Sequence, residues 1–229
     1  MKDEECPMVV AHNELELPAE GEEISVHIPT VRHPNNFYVN ILENGICHED
    51  LAQLNEEMTT FYRNDTTGAE NSQRPFVPGE IVAAKYLDER WYRARIIDLL
   101  EDVELDNDMS AIEKVRLFFV DYGQCHTIDV LCIRKMKLRF LTLPFQALEC
   151  SLGNVAVPSD EVTWSKMARQ EFRRLTNVKL KAKVLSNLGP SLEVTLSTEE
   201  DGDLGDKLVS MNLARPVSFK SQRVVVFPG

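Results

Sequence analysis

Apolar residues recur along this chain at two spacings, and the alternation between them predicts an order of strands and helices. Ile24, Val26 and Ile28 alternate with polar neighbours, and after the turn Arg32-His-Pro-Asn-Asn36 comes a second apolar run, Phe37 to Leu42. Strand side chains point alternately to opposite faces, so this pattern predicts two half-buried strands joined by a short loop. Between His48 and Asn64 the period lengthens: Leu51, Leu54, Met58 and Phe61 fall at helical spacings, with Asp50 near the start, where a carboxylate suits the helix dipole. An amphipathic helix is expected there. Asn64 to Arg74, rich in Asn, Thr, Gly and Ser, breaks the period and reads as an exposed linker.

The densest strand signals run from Val77 to Leu143. Ile81 to Tyr86 and Trp91 to Ile97 flank the short turn Leu87-Asp-Glu-Arg90, as in a tight antiparallel hairpin. An acidic loop, Glu101 to Asp108, leads to Val115–Val120, the turn Asp121-Tyr-Gly-Gln124 and a further strand from Cys125 to Ile128. Short strands this close together predict a small curled barrel rather than a parallel α/β sheet. Beyond Pro144, Ala147 to Val157 is strand-like, and Trp164, Ala168, Phe172 and Leu175 mark the apolar face of a helix from about Glu161 to Thr176. Strands at Lys179–Ser186 and Ser191–Ser197 flank the turn Asn187-Leu-Gly-Pro190, and Asp203 to Asn212 reads as a short helix despite Gly205. The expected organisation is a flexible acidic segment (1–22), two strands and a helix (23–64), a linker (65–76), the barrel (77–143), further strands and helices (144–216) and a tail (217–229). Elements of both flanks can complete one discontinuous domain around the barrel.

Composition narrows the function. With 43% hydrophobic residues in 229, a proper core is affordable, and a net charge of −12 opposes binding to a phosphate backbone while favouring cationic partners. Five scattered cysteines form no Cys-x-x-Cys pair, which removes the usual zinc and redox motifs and points to a reducing compartment. An acidic N-terminus and the lack of any apolar stretch of about 20 residues lead us to expect an intracellular chain with no membrane contact of its own.

The candidate chemistry is aromatic. Tyr86 and Tyr92 lie on opposite sides of the hairpin turn, while Phe119 and Tyr122 lie at the end of the next strand, so four rings can converge at one end of the barrel. Their negative faces attract a guanidinium or a methylated cation, worth roughly 0.5–1 kcal/mol when exposed and about 2 when desolvated. Gln124 can offer an amide oxygen to the remaining N–H groups. Aromatic residues on strands are more often core, so spacing alone leaves both a cage and a packed core open.

Four blocks, Val82-Ala-Ala-Lys-Tyr86, Trp91-Tyr-Arg-Ala-Arg95, Phe119-Val-Asp-Tyr-Gly123 and Leu143-Pro-Phe-Gln-Ala147, resemble in sequence and order the signature of extended Tudor domains. The resemblance spans most of Ile24 to Pro216. It implies a mainly β fold with some α: a five-stranded Tudor barrel inserted in a staphylococcal-nuclease-like OB fold and joined to it by a long helix. It places the family's arginine cage on Tyr86, Tyr92, Phe119 and Tyr122, with Gln124 where many members have Asn. It gives Asp121 a structural role, bonding backbone N–H groups. Asn35-Asn-Phe-Tyr38, Asn55-Glu-Glu-Met58 and Phe140 to Cys150 are most similar to the Tudor-and-KH (Papi-like) group of the piRNA pathway. That likeness implies a monomeric, cytoplasmic adaptor without cofactor or metal, at germ granules or the mitochondrial outer surface if regions outside this chain take it there. Its partner would be the Arg-Gly/Arg-Ala tail of a Piwi-clade Argonaute, bound in a groove between barrel and OB fold, with no direct nucleic-acid contact. Asp88, Glu89 and the Glu101–Asp108 loop are expected to steer such a cationic tail. No KH motif is present, so in such a protein this chain would be the reader part.

Other classes have less behind them. A nuclease needs a carboxylate cluster for metal, and the acidic runs Glu14–Glu23 and Glu199–Asp206 read as solvated surface. An OB-type single-strand binder would have to draw charge from Arg169–Arg174 or Lys220–Arg223, and a scaffold without a working cage is the remaining alternative. Cys125 and His126 point to opposite strand faces, which separates a thiol from its base.

Overall fold

The computed structural model describes residues 15–42, 48–64, 75–101, 112–189 and 191–218. Most of the acidic lead-in, the linker at 65–74, the acidic loop at 102–108 and the tail from 219 lie outside the described residues. In chain order the elements are β1 (Glu23–His33), β2 (Asn36–Ile41), α1 (His48–Arg63), β3 (Ile81–Lys85), β4 (Trp91–Glu101), β5 (Ile112–Phe119), β6 (Cys125–Asp129) and β7 (Ile133–Lys135). There follow β8 (Leu148–Leu152), β9 (Val155–Ala156), α2 (Lys166–Leu175), β10 (Leu180–Ser186), β11 (Leu192–Thr198), β12 (Gly202–Asp203), α3 (Leu204–Ser210) and β13 (Arg215–Pro216). The fold is mainly β with three helices among the described residues, as expected. These elements form two compact units, one within Gly45–Ala147 and one built from Glu16–Asn44 with the residues after Leu148.

In the second unit β1 pairs with β2, β2 with β8, β8 with β11, β11 with β10, and β10 again with β1. The ring is closed, every pairing antiparallel except β8 with β11, which is the OB connectivity. Its neighbours β2 and β8 are the strands between which the whole first unit is inserted. Alternate residues Ile24 and Val26, Leu180, Ala182 and Val184, and Leu192, Val194 and Leu196 fill this barrel. Helix α2 begins on Ser165, whose hydroxyl accepts the Ala168 N–H at 3.1 Å, and presses Phe172 edge-on to Phe37 at 5.4 Å. Asn35 in the β1–β2 turn accepts from Trp164 Nε1 at 3.0 Å and donates to the Leu152 carbonyl at 2.9 Å, a structural reason for that residue. Gly205 survives inside α3 because a Cβ there would lie 2.6 Å from the Asn154 side chain.

In the first unit five antiparallel strands run in the order β6-β5-β4-β3-β7. The two edge strands, β6 and β7, are consecutive in the chain with only Val130–Cys132 between them. So short a link forces the sheet to curl until its edges meet, making the barrel closed. Its inside holds Val82, Ala84, Ala94, Ile96, Val115, Leu117 and Ile133. Ile81, Ala83 and Trp91, from the other face of the same strands, pack with Leu51, Leu54, Met58 and Tyr62 of α1. Tyr62 stacks on Trp91 at 5.2 Å and donates to the Lys135 carbonyl at 3.0 Å. The helix that sequence grouping put with the first flank is thus seated on the Tudor-like barrel. Trp91 is core, as its strand position implied.

Candidate functional site

Three of the barrel strands, β3, β4 and β5, carry their inward stripe one step past the packed core. Val82 and Ala84 lead to Tyr86, Ile96 and Ala94 to Tyr92, and Val115 and Leu117 to Phe119, because side chains two apart share a face. Phe119 remains buried while Tyr86 and Tyr92 are half-buried. The rings end at a cavity of about 180 Å³ lined by Tyr86, Asp88, Tyr92, Phe119, Tyr122 and Gln124. All five sequence-assigned positions are therefore brought together, and Asp88 joins them.

The rings meet nearly at right angles. Tyr86 lies 5.4 Å from Phe119 and 6.4 Å from Tyr92, and Tyr92 lies 5.5 Å from Tyr122, with interplanar angles of 72°, 82° and 89°. Such edge-to-face contacts lock each ring while leaving π faces for a ligand. The hydroxyls are tied as well: Tyr92 donates to Asp88 Oδ2 at 2.6 Å, Tyr122 accepts from Asn55 Nδ2 at 2.8 Å, and Tyr86 Oη lies 3.0 Å from His126 Nε2. Burial, with the neighbouring Asp121 charge, pushes the Tyr122 phenol up to about 12. Burial and the Asp88 bond likewise raise Tyr92 well above the usual phenol range, so both stay neutral near pH 7.

Tyr122 reaches the cavity through a tight turn. The Gly123 N–H donates to the Phe119 carbonyl at 2.8 Å, the Phe119 N–H to the Gln124 carbonyl at 2.8 Å, and Gly123 sits at φ +74°, in the left-handed region. Beneath it Arg93 uses all five of its N–H donors. Nε and Nη2 bond Asp121 at 2.9 and 2.6 Å, Nη2 also bonds the Pro144 carbonyl at 2.9 Å, and Nη1 bonds the carbonyls of Phe140 and Leu143 at 3.1 and 2.5 Å. Asp121 also accepts the Gln146 N–H at 3.1 Å, and the Phe145 ring lies 5.1 Å from the guanidinium. The expected backbone contact of Asp121 is there, but its main partner, Arg93, was not foreseen.

Sequence reasoning met His126 only as the neighbour of Cys125 and Asn55 only within the block Asn55–Met58, gave neither a place at the cage, and gave Asp88 only a steering role. Asp88 sits in the turn joining Tyr86 to Tyr92, and His126 lies two residues past Gln124 on the same strand face, so both carried a readable signal. Asn55, on α1, stood in a family-like block, but nothing local in it pointed to Tyr122. Gln124 is not waiting idle: its Oε1 lies 3.0 Å from His126 Nε2. Among the described residues no group of three His, Cys, Asp or Glu is placed to hold a metal.

A model of the Tudor domain matches residues 18–154. The chain belongs to the Tudor domain family. This Tudor domain is 35% identical over 163 residues to the Tudor and KH domain-containing protein homolog of Drosophila melanogaster, covering 69% of this chain and 27% of that protein. It therefore spans about a quarter of the length of that relative. The Papi extended Tudor domain of Drosophila melanogaster superposes with a TM-score of 0.74 at 29% identity, over 86% of this chain and 100% of that one. An aspartate-to-alanine variant of that Papi domain has been solved with Piwi N-terminal peptides in unmethylated and me2s forms. The third extended Tudor domain of mouse TDRD1, solved with a MILI peptide containing dimethylarginine, matches at TM-score 0.76 and 22% identity, over 91% of this chain and 100% of that one, a likeness of fold. The extended architecture expected from the four blocks is thus present, and three of those blocks meet at one buried ion pair, Arg93 with Asp121.

Proposed function

We propose that this extended Tudor domain is a non-catalytic reader that binds an arginine side chain, methylated or unmodified, in the Arg-Gly/Arg-Ala tail of a Piwi-clade Argonaute. The observation that carries the reading is the cavity itself: four rings at near right angles around about 180 Å³, with Asp88 its one carboxylate. Neutral ring faces favour a cation whose charge is spread and easily desolvated, and methylation of a guanidinium moves it in that direction while keeping its charge. Asp88 and Gln124 add oxygens for whichever N–H groups remain, so the pocket has means to hold arginine in either state. The Papi complexes with both forms of a Piwi peptide support this reading.

The test is calorimetric titration of the chain with short Arg-Gly/Arg-Ala peptides, unmodified and symmetrically dimethylated, beside a Tyr92→Ala variant whose melting confirms that it folds. Binding near micromolar, about −8 kcal/mol, is expected for wild type and is lost in the variant. No binding of either peptide at hundreds of micromolar would overturn the proposal. An OB-type nucleic-acid binder would instead show affinity for single strands that falls steeply with salt.

A further inference from the structure

His126 takes no part in the reading so far, yet it touches three residues of the cavity lining: Tyr86, Phe119 and Gln124. Its ring packs against Tyr86 at 4.8 Å and Phe119 at 5.9 Å, and its Nε2 stands 3.0 Å from both Tyr86 Oη and Gln124 Oε1. One ring nitrogen cannot serve these two oxygens in the same way. If Nε2 carries the proton it donates to the Gln124 oxygen, and the NH2 end of the amide is what remains for a ligand. If the proton is on Nδ1, the bare Nε2 accepts from the Tyr86 hydroxyl, and the amide gains by turning its oxygen away from that lone pair.

The two arrangements offer opposite chemistry to a guanidinium, which has donors only. An unmodified guanidinium brings five N–H groups, and symmetric dimethylation replaces two of them with methyl groups. An amide oxygen turned to the ligand rewards the N–H-rich form, whereas an NH2 end opposes it and leaves selection to the rings. We infer that His126 sets the methyl preference of the pocket, acting through Gln124 as a positioning residue. The inference rests on the arginine-reader proposal and extends it.

The experiment compares wild type with His126→Phe, which keeps a ring against Tyr86 and Phe119 but removes both nitrogens, in titrations with unmodified and symmetrically dimethylated Arg-Gly peptides. Freed from His126, Gln124 should favour the unmodified peptide, moving the ratio of the two dissociation constants about threefold to tenfold, the worth of one net hydrogen bond. The same change made in a Gln124→Ala background should leave the ratio unmoved. A ratio that stays constant in the first comparison, or that moves equally in the second, overturns the inference while leaving the reader proposal intact. Failure of wild type to bind either peptide overturns both. A measurement on wild type alone guards against a variant that does not fold: ¹⁵N shifts of the His126 ring report which nitrogen is protonated. Addition of the unmodified peptide should place the proton on Nδ1, and an unchanged tautomer overturns the inference.

Discussion

Arg93 and Asp121 meet as a two-pronged ion pair, Nε to Oδ2 at 2.9 Å and Nη2 to Oδ1 at 2.6 Å, with both side chains shut off from solvent. Each stands next to a cage residue, Tyr92 and Tyr122 respectively. The pair joins β4 to the turn after β5 and gathers the carbonyls of Phe140, Leu143 and Pro144 on the same guanidinium. The cage rings thus stand on a buried polar knot whose bonds are satisfied on both sides.

Breaking that knot from one side should be costly. Asp121→Ala leaves a buried guanidinium without its counter-charge, for which about 3–5 kcal/mol is the expected loss. Urea unfolding followed by tryptophan fluorescence measures it, and a loss below about 1 kcal/mol would show that the pair does not hold the barrel end together.

Asp88 is exposed, so its removal should spare the fold and act on the ligand. Asp88→Asn removes the lining's negative charge and weakens the acceptor for the Tyr92 hydroxyl. Affinity for an unmodified arginine peptide should fall about threefold to tenfold, in line with one charge-assisted contact at a solvent-screened site. The remaining binding should depend less on salt, which titration at two ionic strengths will show.

Tyr122 links the cage to alkaline stability. Its phenol titrates at about 12 in the folded chain, whereas a tyrosine in an unfolded chain ionises near 10. The folded state therefore holds the proton more tightly, and the stabilisation is complete below about pH 10 and lost as pH rises through about 12. Melting temperatures should fall across that window, and Tyr122→Phe, with no proton to lose, should flatten the decline.

Gly123 has a geometric duty. At φ +74° a side chain would strain the backbone, so Gly123→Ala should cost about 1–2 kcal/mol. The larger effect is expected on binding, because relief of the strain moves Tyr122 and Gln124, which follow the turn into the cavity. Thermal melting and peptide titration of one sample separate the two effects.

Much of this molecule is written in local patterns. Two-residue alternation along β3, β4 and β5 determined which residues fill the barrel and which rings emerge at its end, since a strand offers only two faces. Three- and four-residue spacing located α1 and α2 for the same kind of reason. Register follows partly from the hairpin turn, which sets Ala84 opposite Tyr92. That alternation made the convergence of Tyr86, Tyr92 and Phe119 legible, while the places of Tyr122 and Gln124 depend on the turn at Gly123.

What tertiary structure alone decided is who holds those residues in place. Asn55 reaches Tyr122 across 67 positions, His126 reaches Tyr86 across 40, and Arg93 finds carbonyls 47 to 51 residues ahead. Pairing of β2 with β8 spans the whole first unit, a closure that no window of sequence contains. Periodicity reports the direction a side chain faces because covalent geometry sets it within two or four residues. Partners in a hydrogen bond are chosen when distant segments are brought together by burial of their apolar faces, and that choice exists only in the folded chain.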